Sequence, residues 1–391
     1  MGFARGRFLA VLAASAAFAL AAVSCSRAYS DEPGGGDFDA APFDGPTDGP
    51  PSEGAVDAAS DAKDADAGSR ACTSKGTTKD VSTLTRGTIY APSFSPYPFG
   101  IATDLTHVYW VEQTTDTDAG AASEGLGVGR ILRATKSAGP IQQLVTDQSQ
   151  VTSLAVEGGF VYWGAGVATT WQLLRIPSNP SGPAVPEAVA TFGGRIVDVR
   201  VAAAGVLLVL LVDGRTYRVD PSTRDAALIL TAGASSSIAA TLTHVYASSE
   251  TIGPAVRRVT LSPPFVYEAN YLVPNVGGGN VGVGKLATDC TSLWMTHDSF
   301  TSDTIYVHDF LVPGTFERRF DGLQTVEQIV ADDKNVWVAA QTSGVVVGSR
   351  KGGAFLVVYN GAVGRIAVDD DGVYFADRAS LTRGRIYMLV K

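Results

Sequence analysis

The chain has 391 residues, 43 of them glycine and 19 proline; 45% are hydrophobic, 18% are charged, and the net charge is −9. That length and apolar content suffice for one large core or two ordinary ones, and the glycines keep no three-residue period, which excludes collagen. Charge is uneven: residues 1–27 carry +3, 28–70 carry −9 and 71–391 carry −3, so no strongly basic domain exists to hold a nucleic acid.

The N-terminus reads as an address. Arg5 and Arg7 precede Phe8–Ser24, which is apolar or small throughout. A positive n-region followed by an apolar h-region is the layout of a secretory signal. The run of about 17 residues is short for a hydrocarbon core of roughly 30 Å, and an uncleaved membrane anchor is the alternative. The segment Ala21-Ala22-Val23-Ser24-Cys25 resembles the lipobox of bacterial lipoproteins, with Ala22 where the commonest form has leucine. The resemblance implies removal of residues 1–24 and lipidation of Cys25. Ser26 is not the aspartate by which that family is retained at the inner membrane, so the resemblance points to the outer membrane. One acyl chain anchors only marginally, and a triacylated cysteine meets the need for more than one.

Residues 25–70 form the next unit. Within 31–68 Asp, Ala, Gly and Pro dominate, and Phe38 and Phe43 are the only aromatics. Such a segment cannot bury enough apolar surface to offset its ordering entropy and is expected to be a disordered, extended linker. It holds the following domain off the membrane; binding of cations or a basic partner by its acids is the alternative.

From residue 71 onward the pattern is a repeat. A ten-residue unit, I-A-x-D-x-x-x-V-Y-W, begins at Ile101, Leu154, Val199, Ile238, Leu286, Ile329 and Ile366, aligned without gaps. The mean spacing of about 44 residues marks a propeller, solenoid or array. Each half of the ten-mer is a short β-type run, and a tight polar turn joins them. A third run follows, as at Gly129, Gly214, Asp303 and Gly384, and a fourth, as at Ile141, Ala227 and Phe355. Four short strands per period, and no 3.6-residue periodicity, predict an all-β, seven-bladed β-propeller of four-stranded blades over 71–391. The seventh unit has only three strands before Lys391. Thr88-Ile89-Tyr90-Ala91 is expected to supply the fourth and close the ring. The third copy is the outlier: Val201–Val212 is a twelve-residue apolar run, read as two strands buried on both faces.

The ten-mer ending Val-Tyr-Trp resembles the YWTD repeat of lipoprotein-receptor propellers, and is similar to TolB-like and NHL-type repeats. It departs from the YWTD pattern in having seven units, and in the residues after Trp110 and Trp163, which are not Thr-Asp. The resemblance implies a scaffold that binds proteins or peptides and implies no activity.

Candidate chemistry is sparse. Asp104, Glu157, Asp289, Asp332 and Asp369 occupy the acidic repeat position; they are expected to cap turns, with calcium binding by a carboxylate ring as the alternative. Arg200, on a predicted innermost strand, is a candidate ligand-binding residue lining the central channel, or half of an ion pair with Asp198. His107 and His244 share a turn position and read as exposed. His297 and His308 are candidate metal ligands facing one another across a hairpin, but zinc needs further ligands that are not evident. Cys72 and Cys290 form a candidate disulfide if Cys25 is lipidated, with free buried thiols as the alternative. Trp110, Trp163, Trp294 and Trp337 fall at a fixed repeat position and read as blade core, not as a sugar platform. Gly277–Gly284 is glycine-rich like a phosphate loop but reads as an inter-blade loop. No nucleophile elbow, P-loop or H-E-x-x-H motif is present, so no catalytic residue, metal or cofactor is assigned.

The reading is a monomeric, lipid-anchored envelope protein whose propeller is a non-enzymatic binding module. A protein, peptide or glycan is expected on the irregular loops 112–128 and 296–304. The alternatives are a metal-dependent lactonase- or lyase-like enzyme and a structural envelope component.

Overall fold

The computed structural model describes residues 85–90, 96–114, 128–167, 170–249, 255–272, 282–298, 302–377 and 385–391, excepting 183, 203–204, 232, 234, 290 and 313–314. The signal, lipobox and linker expectations, with Cys25, Cys72 and Cys290, lie outside the described residues. No helix among the described residues is long and apolar enough to cross a membrane.

Twenty-eight described strands form seven four-stranded antiparallel sheets, the blades of a propeller. The inner strands, in blade order, are Pro96–Thr103, Leu154–Glu157, Ile196–Val201, Ile238–Ala240, Gly282–Thr288, Val326–Ala331 and Val363–Val368. Each ten-mer supplies part of an inner strand, a turn and part of the second strand. The ring closes as expected: Thr85–Tyr90 pairs with Arg385–Val390, from Thr85 opposite Val390 to Tyr90 opposite Ile386, and becomes the outer strand of blade 7. The inner strand of blade 1 contacts that of blade 7, so the two ends of the repeat array meet.

Stacking explains the composition of the strands. Each sheet is covered on both faces by its neighbours, so the second strands read as continuous apolar runs instead of alternating ones. Leu207–Leu211 is buried at every position, and Asn335–Ala340 is buried from Val336 onward. The outer strands face solvent and mix polar with apolar residues, as in Glu317–Leu323. Among the described residues there are seven hydrophobic clusters, and each joins two neighbouring blades. The core is therefore a set of inter-blade layers, not a central mass.

Three details differ from the sequence reading. First, the inner turn closes over four residues in other blades, as in Asp104 N–H to the His107 carbonyl, but over five in blade 3, Ala202 N–H to the Val206 carbonyl. The third repeat thus carries one extra residue, and the gapless alignment fails there. Second, the run Val201–Val212 is not two strands; it spans the end of the inner strand, this longer turn and the second strand. Third, the tryptophans occupy two adjacent positions. Trp294 and Trp337 pair opposite the second residue of the ten-mer, as Tyr109 does, while Trp110 and Trp163 stand one place later and face the other neighbour. All four are fully buried.

Gly214 and Gly344 open the third strands of blades 3 and 6. Their φ values are +79° and +81°, and a Cβ would fall 1.3 Å from the Gly233 carbonyl oxygen and 1.8 Å from that of Tyr359. Only glycine fits a turn that tight against the outer strand.

Candidate functional site

The ring has two dissimilar ends. At one lie the inner turns with their repeated carboxylates. Asp104 accepts the backbone N–H groups of Thr106 and His107 at 2.7 Å and the Tyr109 hydroxyl at 2.5 Å. Asp289 does the same with Thr291, Ser292 and the Trp294 indole N–H, and Asp332 with Lys334, Asn335 and Trp337. Asp369 accepts from Asp371, Gly372 and Tyr374. Thr241, an exception in the repeat, caps its turn through its hydroxyl, which accepts the His244 N–H at 3.1 Å. Turn capping is thus the geometry at these positions.

Three of these carboxylates also take a cation from the next blade, always from the residue just after its third strand. Lys136 of blade 1 reaches Asp369 of blade 7 at 2.6 Å, Arg350 of blade 6 reaches Asp289 of blade 5 at 2.6 Å, and Lys391 of blade 7 reaches Asp332 of blade 6 at 2.8 Å. Lys136 and Lys391 lie over the rings of Tyr374 and Trp337, the same rings that donate to the carboxylates they clamp. Burial alone would raise the Asp332 carboxyl, but Lys391, the Trp337 N–H and the turn amides hold it below the usual carboxylate range. Asp104 is likewise lowered: burial opposes, and the Tyr109 hydroxyl with the Thr106 and His107 amides prevails.

His107 and His244 are half-buried instead of exposed, and each shares a hydrogen bond with the preceding threonine hydroxyl. His297 and His308 do not face one another. His297 lies opposite Thr304 and His308 opposite Leu293, at different levels of the hairpin. His308 packs among Tyr271, Phe310 and Phe316. Among the described residues no cluster of three His, Cys, Asp or Glu side chains could hold a metal ion.

The other end is where inner strands begin. The loops joining second to third strands are there too, because Thr114 pairs with Pro96 and Asp298 with Gly282. The described ends of segments 112–128 and 296–304 therefore flank the mouth of the channel; 115–127 and 299–301 lie outside the described residues.

The residue just before each ten-mer makes a ring at this mouth: Gly100, Ser153, Asp198, Ser237, Lys285, Gln328 and Arg365. In five blades the ladder shifts register there, between Phe99 and Ile101, Ile196 and Asp198, Val283 and Leu286, Val326 and Gln328, and Val363 and Ile366. Such bulges re-aim side chains. Three ring members do a repeated structural job, accepting the backbone N–H of the next blade's inner strand. Ser153 accepts from Val199 at 3.1 Å, Ser237 from Leu286 at 3.0 Å and Gln328 from Ile366 at 3.0 Å.

Asp198 is the hub. It is buried, and it accepts from the Ser153 hydroxyl at 3.1 Å, Arg200 Nε at 2.8 Å and Arg365 Nη1 at 3.1 Å. Burial opposes its charge, and Arg200 and Arg365 together pull its carboxyl below the usual range. Arg365 belongs to blade 7 and Asp198 to blade 3, as far apart as a seven-membered ring permits, so this pair crosses the channel. On one side of it lies a cavity of about 210 Å³ lined by all seven inner strands, mostly Ala, Val, Leu and Ile. On the other is a mouth cavity of about 270 Å³, lined by Thr152, Arg195, Val197, Ser235, Ser236, Lys285 and Arg365. Arg200 lines the channel, as the sequence suggests, and is paired with Asp198. Arg195, Lys285 and Arg365 were not singled out from sequence. Extending the ten-mer by one residue on its N-terminal side would have found the ring and two of these three.

No protein-family model matches the chain, and no curated protein matches it. Solved structures do. Catalytically inactive virginiamycin B lyase from Staphylococcus aureus with quinupristin is similar with a TM-score of 0.56 and 14% identity, over 79% of this chain and 99% of that one. YCF48 bound to D1 peptide gives a TM-score of 0.53 and 12% identity, over 81% and 99%. The WD40 β-propeller domain of Doa1 gives a TM-score of 0.57 and 9% identity, over 77% and 96%. At such identities the likeness is one of fold, and the fold is the β-propeller.

Proposed function

We propose that this protein is a lipid-anchored, monomeric component of the bacterial cell envelope whose propeller binds a ligand at the channel mouth without transforming it. The observation that carries this reading is the cross-channel pair. Arg365 and Asp198 floor the mouth and make it a polar pocket. Asp198 is the single carboxylate among the described residues that line the channel and mouth, and two arginines and a serine already occupy it. A carboxyl held below its usual range in that way is a poor general base. Two of the similar propellers carry ligands, a D1 peptide on YCF48 and quinupristin on the lyase, which accords with a scaffold that presents one. The lipid anchor rests on Cys25 and the run before it.

Thermal denaturation of the purified protein with peptides, glycans, cell-wall fragments, divalent metals and chelator tests the reading. A ligand that binds only the folded state raises the melting temperature, by an increment that grows with concentration. A rise with an organic ligand that is recovered unchanged is the expected result. A metal-dependent rise reversed by chelator, with chemical conversion of the ligand, would replace the binding module with an enzyme.

A further inference from the structure

The repeated position at the channel mouth has a job, and, besides Gly100 of blade 1, which has no side chain, two blades carry side chains that cannot perform it. Ser153, Ser237 and Gln328 each accept a backbone N–H from the next blade. Lys285 and Arg365 occupy the equivalent position in blades 5 and 7. Ammonium and guanidinium groups are donors only and cannot accept that bond. The fold would be served by serine or glutamine there, and the chain has cations instead. Both line one cavity of about 270 Å³, together with Arg195 of blade 3. The remaining lining is Val197, Thr152 from blade 2, and Ser235 and Ser236 from blade 4, whose hydroxyls donate to the Ser237 and Gly284 carbonyls. Thr152 is 7% exposed, and its hydroxyl has no hydrogen-bond partner in the protein. No carboxylate lines this cavity among the described residues; Asp198 lies at its floor, shared by Arg365 and Arg200. Three cationic side chains line one small cavity, a local excess of positive charge that favours an arriving anion.

We propose that the channel mouth is a binding site for an oxyanion group, phosphoryl or carboxylate, of a small ligand, held by Arg195, Lys285 and Arg365 with the Thr152 hydroxyl of blade 2 as a neutral donor. This deepens the binding-module reading and rests on it. Arginine and lysine give charge-assisted bonds to oxyanions, and the unpartnered Thr152 hydroxyl adds a neutral donor. The cavity suits one compact charged group, with the rest of a ligand extending outward.

Isothermal titration of the full chain with sodium phosphate and, separately, sodium succinate, at constant ionic strength set with sodium chloride, tests the site. Saturable binding of at least one is expected, and which one saturates separates phosphoryl from carboxylate ligands. Lys285→Gln is the decisive variant. It restores the acceptor that Gln328 provides in blade 6, so its melting temperature is expected to equal or exceed the parent's. Its anion affinity is expected to fall about tenfold, the loss of one charge-assisted bond. Lys285→Arg is expected to keep the affinity. Absence of saturation with both anions, or an unchanged affinity in a folded Lys285→Gln protein, overturns the proposal. If both anions fail while an organic ligand still raises the parent's melting temperature, the oxyanion site falls and the binding module stands. If that rise is also absent, both fall.

Discussion

A single side chain at the inner turn shows how one residue serves three levels of structure. Asp332 caps its turn, fixes the Trp337 ring through the indole N–H, and receives Lys391 from the next blade. Asp332→Ala strands a half-buried cation along with those donors, and should cost about 3 kcal/mol, the scale seen when one partner of a buried pair is removed; equilibrium denaturation measures it. Asp104, Asp198 and Asp332 all have carboxyls lowered in the folded state. Their stabilisation is complete above the unfolded aspartate value of about 4 and is lost as pH falls through the lower folded values. The melting temperature is therefore expected to hold from neutrality to about pH 5 and then decline, less steeply in Asp332→Asn. An acid limb of identical slope in the variant would remove Asp332 from that account. The aspartates were legible in the sequence because capping depends on neighbours two and three residues away. Their cations were not, because Lys136 and Asp369 meet only when the ring closes.

Strands and turns were the most legible scale. The apolar runs recur seven times and the acidic turn residue five times, and both are local, so each copy corroborates the others. Where a copy differed, as in the longer turn of blade 3, the gapless pattern hid a one-residue insertion that only the backbone bond from Ala202 to Val206 exposes. The mouth ring escaped notice for another reason. Its seven members share a place in the fold but range from glycine through serine, glutamine and aspartate to lysine and arginine, so no single residue type marks the position in the sequence. The closing strand gives a direct test at this scale. Removing residues 80–95 takes away Thr85–Tyr90 and bares the edge of Arg385–Val390. The deletion is expected to lower the melting temperature and to promote edge-to-edge association, visible by light scattering. A variant that melts like the parent and stays dispersed would show that blade 7 is complete without it.

At the scale of the whole molecule, the proposed anchor and the ring are separately testable. Cys25→Ala is expected to move the protein from the membrane to the soluble fraction, and the intact mass of the parent should show a lipid adduct; equal membrane retention of the variant would remove the anchor. Seven inter-blade layers with one closing strand should melt together, since opening any layer frees two blade faces to water. The fastenings across those layers are nevertheless unlike. The ionic clamps join blades 5 to 6, 6 to 7 and 7 to 1. Blades 2 and 3 are joined differently, by the more exposed ion pair of Arg224 with Glu187 and by Arg175, which donates to the Pro221 carbonyl, and Phe310 stacks on Tyr246 between blades 5 and 4 at 5.3 Å. The hoop is thus riveted by buried charge along one arc, and that arc contains the seam where the first and last strands are stitched. Concentrated salt screens exposed pairs far more than buried ones, so amides at the junction of blades 2 and 3 should exchange with deuterium faster at high ionic strength while those of blades 6, 7 and 1 barely respond.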